Sequence, residues 1–235
     1  MTLPCHSASS IKTFLDCPMH YKATYLEGKK SVANTFGLYG TSLHSGIEEA
    51  FREDTIPHTV FDTTLNKGLA EFAAKNIRPI GYSKSTMLQK GYDILDTFPF
   101  ERYDPIEMEY EFFVPFPVIN PICTLHGYID NIDSRRWVID YKSNNDKSKL
   151  LKYYSLQMAL YTYTYVTIKN CMPNKVFMHH LPTHTEVEYD LSNYESDMVK
   201  LYADVQRLNT FNFDNLSVCK SCGLFCPLNT MNKRS

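Results

Sequence analysis

Residues Gly127 to Ser143 read G-Y-I-D-N-I-D-S-R-R-W-V-I-D-Y-K-S. Hydrophobic residues run up to Asp133-Ser134, a turn signal, and resume after Arg135-Arg136, so the stretch reads as a β-hairpin. With the turn centred on Arg135, Asp130 lies opposite Asp140, each five positions from the centre. Opposed residues share a sheet face, with Cβ atoms roughly 4.5–5.5 Å apart. Lys142, two positions past Asp140, points the same way. Two carboxylates and a lysine therefore converge, and hard divalent cations such as Mg2+ take oxygen ligands of this kind. Trp137, Ile139 and Tyr141 alternate with Val138, Asp140 and Lys142 along the second arm. Charges in so apolar a strand are costly unless paired or bound to metal. A lone D-x-K is short and common, and the alternative is a structural Asp–Lys pair. The upstream G-Y-I-D at strand spacing favours a site.

Working outward, the pattern predicts a helix over 9–26 and another capped by Thr41 or Ser42, with Leu43, Ile47 and Phe51 on one stripe. Further helices are predicted near 61–77 and 84–97, and Pro99 to Pro105 breaks the run. Strands follow near 108–117, 122–131 and 136–143, then a long helix over 148–169. Strands near 175–181 and 185–190 and a helix near 193–208 precede a cysteine-rich tail. This order predicts an α/β fold, a mixed central sheet flanked by helices.

The chain has 235 residues, 43% of them hydrophobic, and a net charge of −2. That composition can build a core and supplies no global basic field for nucleic acid. Binding would rest on local clusters, Lys147 with Lys149 and Lys152 or Arg135-Arg136, which equally read as solvated surface. No run approaches the roughly 18 apolar residues of a membrane helix, and the start lacks a signal-peptide core. The expectation is a soluble, cytoplasmic protein with no membrane partner.

Several motifs in order resemble the PD-(D/E)XK nuclease superfamily, and within it the RecB-like, CRISPR-associated-exonuclease-like branch. S-A-S-S-I-K-T-F-L-D-C-P-M-H-Y (Ser7 to Tyr21) resembles its opening helix, and G-T-S-L-H (Gly40 to His44) its metal-binding histidine motif. Glu109 in E-M-E-Y-E-F, the G-Y-I-D ending at Asp130, the I-D-Y-K ending at Lys142, and Q-M-A-L-Y (Gln157 to Tyr161) follow in order. The C-K-S-C-G-L-F-C-P near the end resembles the cysteine cluster of iron–sulfur members. The likeness covers nearly the whole chain. It implies one nuclease domain over 1–235 with a restriction-endonuclease-like core. That domain would have a helical N-terminal region (1–104), the core sheet and long helix (105–190), and a C-terminal helix with a cysteine clasp (191–235).

The resemblance gives roles to individual residues. His44, Asp130 and Asp140, with the Tyr141 carbonyl, would hold Mg2+ or Mn2+; an imidazole beside carboxylates suits both ions. Glu109 would sit near the metal. A solvated acidic face is the alternative, because Glu107, Glu109 and Glu111 share a period of two. Lys142 would act on the reacting phosphate, and Gln157 and Tyr161, one helical turn apart, would support the site. His179 and His180 alternate across a strand, so at most one could face it.

Seven cysteines and no secretory signal argue against a disulfide framework. Cys219, Cys222 and Cys226 fall within eight residues, a spacing suited to chelation. The resemblance adds Cys17 as the fourth ligand of a [4Fe–4S] cluster, with zinc as the alternative, since Cys17 and His20 offer their own pair. Cys5 is a reserve ligand, while Cys123 and Cys171 read as buried strand and loop cysteines.

The expected function is a metal-dependent deoxyribonuclease, an exonuclease of recombination, repair or phage DNA processing, working in the host cytoplasm if phage-encoded. Its partners would be single-stranded or end-containing DNA and a recombination or single-strand-binding protein. The alternatives are an endonuclease of the CRISPR-adaptation or structure-specific kind, and a nuclease-fold protein that binds DNA without cutting.

Overall fold

The computed structural model describes residues 4–29, 33–53, 55–117, 122–144, 146–214 and 216. A two-residue strand, β1 (Cys5–His6), leads into α1 (Ala8–Asp16). Ser7 caps α1 by accepting from the Ser10 amide, and the Ser10 hydroxyl answers at the Ser7 amide. The helix expected over 9–26 is broken at Cys17, whose backbone is extended (φ −163°, ψ 104°). Pro18 disfavours a helical residue before it and itself opens α2 (Pro18–Tyr21), which runs into a π-helical turn at Lys22–Leu26.

Helix α3 (Thr35–Glu53) begins well before Thr41 and Ser42. Asn34 takes the capping position, accepting from the Gly37 amide at 2.8 Å, while Ser42 donates to the Leu38 carbonyl inside the helix. Helices α4 (Pro57–Ala74) and α5 (Lys84–Thr97) complete the N-terminal group. Leu43, Ile47, Phe61, Leu65 and Met87 are fully buried where these helices meet. Each such side chain contributes roughly 1.5–3 kcal/mol of transfer free energy.

The remaining strands are β2 (Pro105–Phe116), β3 (Cys123–Asp133), β4 (Trp137–Lys142), β5 (Lys175–His180) and β6 (Thr185–Glu188). Helix α6 (Leu150–Lys169) crosses from β4 to its parallel neighbour β5, and α7 (Tyr194–Thr210) follows β6. The sheet is mixed and flanked by helices, as the pattern of elements predicts. Alternate strand residues serve two cores. Leu125, Val138, Val176 and Met178 pack beneath α1, α6 and α7, and Ile139, Tyr141 and Phe177 pack beneath α3, α4 and α5.

One irregularity in the sheet positions the site. Strand β2 pairs antiparallel along the whole of one edge of β3. The other edge takes β1 at Thr124 and Leu125 and β4 at Asn131 to Asp133. Between them, residues 126–130 of β3 pair with no strand on that edge among the described residues. The sheet has a notch there, open to both faces.

Candidate active site

The hairpin register is the one its sequence predicts: Asn131 opposes Ile139, Ile132 opposes Val138, and Asp133 opposes Trp137, which centres the turn on Arg135. Asp133 is fully buried and holds the turn, with Arg135 Nη2 2.6 Å from its Oδ2 and the Asp104 amide donating to the same oxygen. Beyond Asn131 the strand ladder stops. At the next step Asp130 Oδ2 accepts from the Tyr141 amide at 2.6 Å, a side chain taking the place of the backbone. That exchange opens the notch and leaves both aspartates at its mouth.

Asp140 is almost fully buried. Its Oδ1 accepts from Gln157 Nε2 at 3.0 Å, and its Oδ2 lies 2.7 Å from Lys142 Nζ. The lysine's approach is off the hydrogen-bonding direction, so Oδ2 keeps no aligned partner among the described residues. Lys142 Nζ donates instead to Gln157 Oε1 at 3.1 Å, and Gln157 Nε2 reaches Tyr161 Oη at 2.6 Å. One glutamine on α6 thus brackets the aspartate, the lysine and the tyrosine. Burial tends to discharge Lys142, but Asp140 and Asp130 more than offset it and hold the ammonium above its ordinary pKa. Burial and the same carboxylates push the Tyr161 phenol well up. Both groups therefore keep their protons at neutral pH and neither is a base.

His44 enters from the other face on α3. Gly40, one turn earlier, lets the helix come close: a Cβ there would sit 3.1 Å from Ser143 Oγ. His44 Nε2 is 2.9 Å from the Tyr141 carbonyl, which accepts only a proton-bearing nitrogen, so Nε2 carries the hydrogen. The Nδ1 edge faces Asp130 Oδ2 at 3.6 Å and Glu109 Oε1 at 3.7 Å. Burial opposes charge on the imidazole, but Asp130, Glu109 and Asp140 override it and raise His44 to about 9. Burial pushes Asp130 up to about 7; His44 and Lys142 work against that rise, and Asp140 and Glu109 add to it.

Glu109 departs from the even spacing expected of β2. Its φ is +47°, in the left-handed region, inside a strand. Before it, Met108 packs on the α3–α5 side and Glu107 meets Lys169 of α6 at 3.7 Å. After it, Tyr110 and Phe112 pack on the α6 side, and Glu111 joins Tyr128 and His126 on the exposed one. The alternation inverts at Glu109, so the three glutamates do not share a face, and Glu109 alone turns to His44.

The ligand atoms of His44, Glu109 and Asp130 all lie within 4.8 Å of one another. His44 and Asp130 line a pocket of about 380 Å3 together with Asp140, Lys142, Gln157 and Tyr161, while Glu109 borders a neighbouring hollow that shares His44 and Tyr128 with it. Nitrogen and carboxylate donors, an Asp140 oxygen with no aligned hydrogen bond, and a buried Asp130 carboxyl that burial pushes toward its protonated form all fit a hard divalent cation. The first turn of α1, Ser7 to Ser9, forms one wall of this pocket. Sequence reading missed it, because only the pairing of β1 with β3 brings that turn here.

Other candidates lie elsewhere. His179 meets Tyr103 and His184, and His180 meets the Asn144 carbonyl and Thr183, so neither faces the pocket. Arg135 is taken up by Asp133 and stacks 3.7 Å from the Trp137 ring, while Lys149 pairs with Asp146. Cys17 Sγ accepts from the His20 amide. Cys219, Cys222 and Cys226 lie outside the described residues.

A sequence profile of the PD-(D/E)XK nuclease superfamily matches residues 6–225. The chain belongs to that superfamily. A PD-(D/E)XK nuclease is a phosphodiester hydrolase that uses divalent metal, and the His44, Glu109 and Asp130 group offers donors for one. The mixed sheet flanked by helices is consistent with the restriction-endonuclease-like core of PD-(D/E)XK proteins. A protein from Eubacterium rectale, described as “Putative exonuclease”, shares the fold with a TM-score of 0.57 and 14% identity over 86% of this chain and 79% of that one. A second solved chain, SSO0001, aligns at 15% identity over 77% and 90%, with a TM-score of 0.35. No curated protein matches.

Proposed function

We propose that this PD-(D/E)XK nuclease is a Mg2+- or Mn2+-dependent deoxyribonuclease that degrades DNA from an end. The observation that carries the reading is the convergence of Asp130, His44 and Glu109 on one point beside the Asp140, Lys142 and Gln157 bracket. His44 Nδ1, Asp130 and Asp140 would hold the cation, with Glu109 and the second lone pair of the Tyr141 carbonyl beside them. When bound, it supplies Lewis-acid charge at the phosphoryl oxygens and acidity to a water. The chain's own residues do the rest. Lys142 donates to the reacting phosphate and balances the charge that grows there. Gln157 fixes the lysine and Asp140 against each other, so neither must reorganise during the reaction. Tyr161 holds Gln157. Water attacks phosphorus in line and gives up a proton to solvent, the bond to the sugar oxygen breaks, and that oxygen leaves with a proton from solvent.

Digestion of end-labelled and circular DNA, single- and double-stranded, with Mg2+ or Mn2+ tests this. The expected result is loss of linear DNA from one end and survival of circles. Cut circles would make it an endonuclease, and binding without cutting in either metal would overturn hydrolysis.

The cysteine clasp is part of the same proposal. Its support is the packing of Phe211 and Phe213 on Phe14 and Tyr21, and of Lys22 on the Phe213 carbonyl, which brings the chain before Cys219 to the helices that flank Cys17. Anaerobically purified protein should carry about four irons per chain. One zinc without iron would replace the cluster but keep the clasp, and no metal would remove both.

A further inference from the structure

A second cavity, of about 210 Å3, runs between α1 and the first turns of α6, and shares Ala8, Ser9 and Gln157 with the catalytic pocket. It adjoins the catalytic pocket across those shared residues and differs from it in character. Its walls carry Lys12 and Lys152 and the rings of Tyr153 and Tyr154. Tyr153 is 45% exposed, with Lys12 Nζ 5.5 Å from its ring centroid. Tyr154 sits deeper, its ring 4.2 Å from Lys142 Nζ, which ties this groove to the bracket around Asp140. Asp16 pairs with Lys12 across the rim, but both ends of that pair are solvent-exposed, and such pairs hold for little. Cations spaced along exposed aromatic faces match a strand of phosphates carrying unpaired bases. A duplex would present no free base face to Tyr153.

We propose that this groove is a track for single-stranded nucleic acid leading to or from the catalytic pocket. A base a few nucleotides from the scissile bond stacks on Tyr153, and neighbouring phosphates meet Lys12 and Lys152. The proposal rests on the nuclease reading and adds a reason for the enzyme to prefer an unpaired strand.

The test compares wild type with Tyr153→Ala and with Lys12→Ala/Lys152→Ala. All three positions lie outside the catalytic bracket, and melting curves should be unchanged. With Mn2+, hydrolysis of bis(p-nitrophenyl) phosphate, too short to enter the groove, should be the same in all proteins. On single-stranded oligonucleotides both variants should raise KM by roughly 5- to 100-fold with kcat preserved. On an oligonucleotide abasic along its length the Tyr153 effect should vanish and the lysine effect persist. Equal KM in variants and wild type would overturn the track, as would equal losses on the short diester and the long strand. If wild type hydrolyses neither, the nuclease reading itself fails. In that case the track stands or falls on binding of labelled oligonucleotide without metal, which the variants should weaken by the same factor.

Discussion

Glu109 combines a strained backbone with a place at the cation site. A left-handed conformation costs an ordinary residue on the order of 1–2 kcal/mol, and the residue adds a third acid to a site that already crowds Asp130. Glu109→Gly should therefore raise the melting temperature in EDTA while lowering cleavage. Glu109→Gln should lower cleavage with a smaller gain in stability, since it removes the charge and keeps the strain. Glycine melting below wild type would show that the conformation is no burden. The inversion at Glu109 was not legible beforehand: an E-x-E-x-E run predicts even alternation, and nothing local marks the residue that breaks it. Asp130, Asp140 and Lys142 were legible because a two-residue period and a turn suffice to place them. For Lys142→Ala, single-turnover cleavage should fall on the order of 10²–10³ with DNA binding retained. An unchanged rate would leave the lysine as a mere partner of Asp140.

Among the elements, α3 sets how far His44 reaches. Gly46 lies two positions further along and faces α4, where a Cβ would come 2.8 Å from the Pro57 carbonyl oxygen. Backbone cannot step aside as a side chain can. Gly46→Ala should cost about 1–3 kcal/mol through overpacking and also slow cleavage by displacing His44. Thermal melts and rates on the same preparation check both, and a normal melt with normal activity would mean the helices slide freely. Most elements were readable from periodicity, and α5 falls where expected, at Lys84–Thr97. The failures have local causes. Cys17-Pro18 interrupts a pattern that otherwise reads as one helix, and Asn34 caps α3 ahead of the expected Thr41 or Ser42. Strand β1 was missed because two residues carry no periodicity.

For the molecule as a whole, stability should depend on acidity through His179. Burial, with His184 and Arg102 nearby, lowers it to about 3. The unfolded chain binds this proton below its usual pKa of roughly 6.5, while the folded chain refuses it until about 3. Its contribution is therefore complete above that unfolded value and is lost as pH falls through the window between the two. The loss approaches 1.4 kcal/mol per pH unit at most. Urea unfolding at about pH 7 and about pH 5 should show a steeper decline for wild type than for His179→Gln, and parallel declines would reject the assignment. At this scale the sequence was least informative about the site. That α1's first turn walls the pocket, and that His44 meets the hairpin from the opposite face, are facts of long-range packing.

The strand pairing also carries an expectation about synthesis. Strand β4, which carries Asp140 and Lys142, shares only three register pairs with β3 but six with β5. Its main support is thus a strand made after α6, and the parallel pairing needs the whole crossover before it can form. A nascent chain that has already exposed every acidic residue of the pocket still lacks the partner that holds Asp140 in place. Cleavage should therefore appear only once Lys175–His180 has left the ribosome, and chains cut short before β5 should not cut DNA.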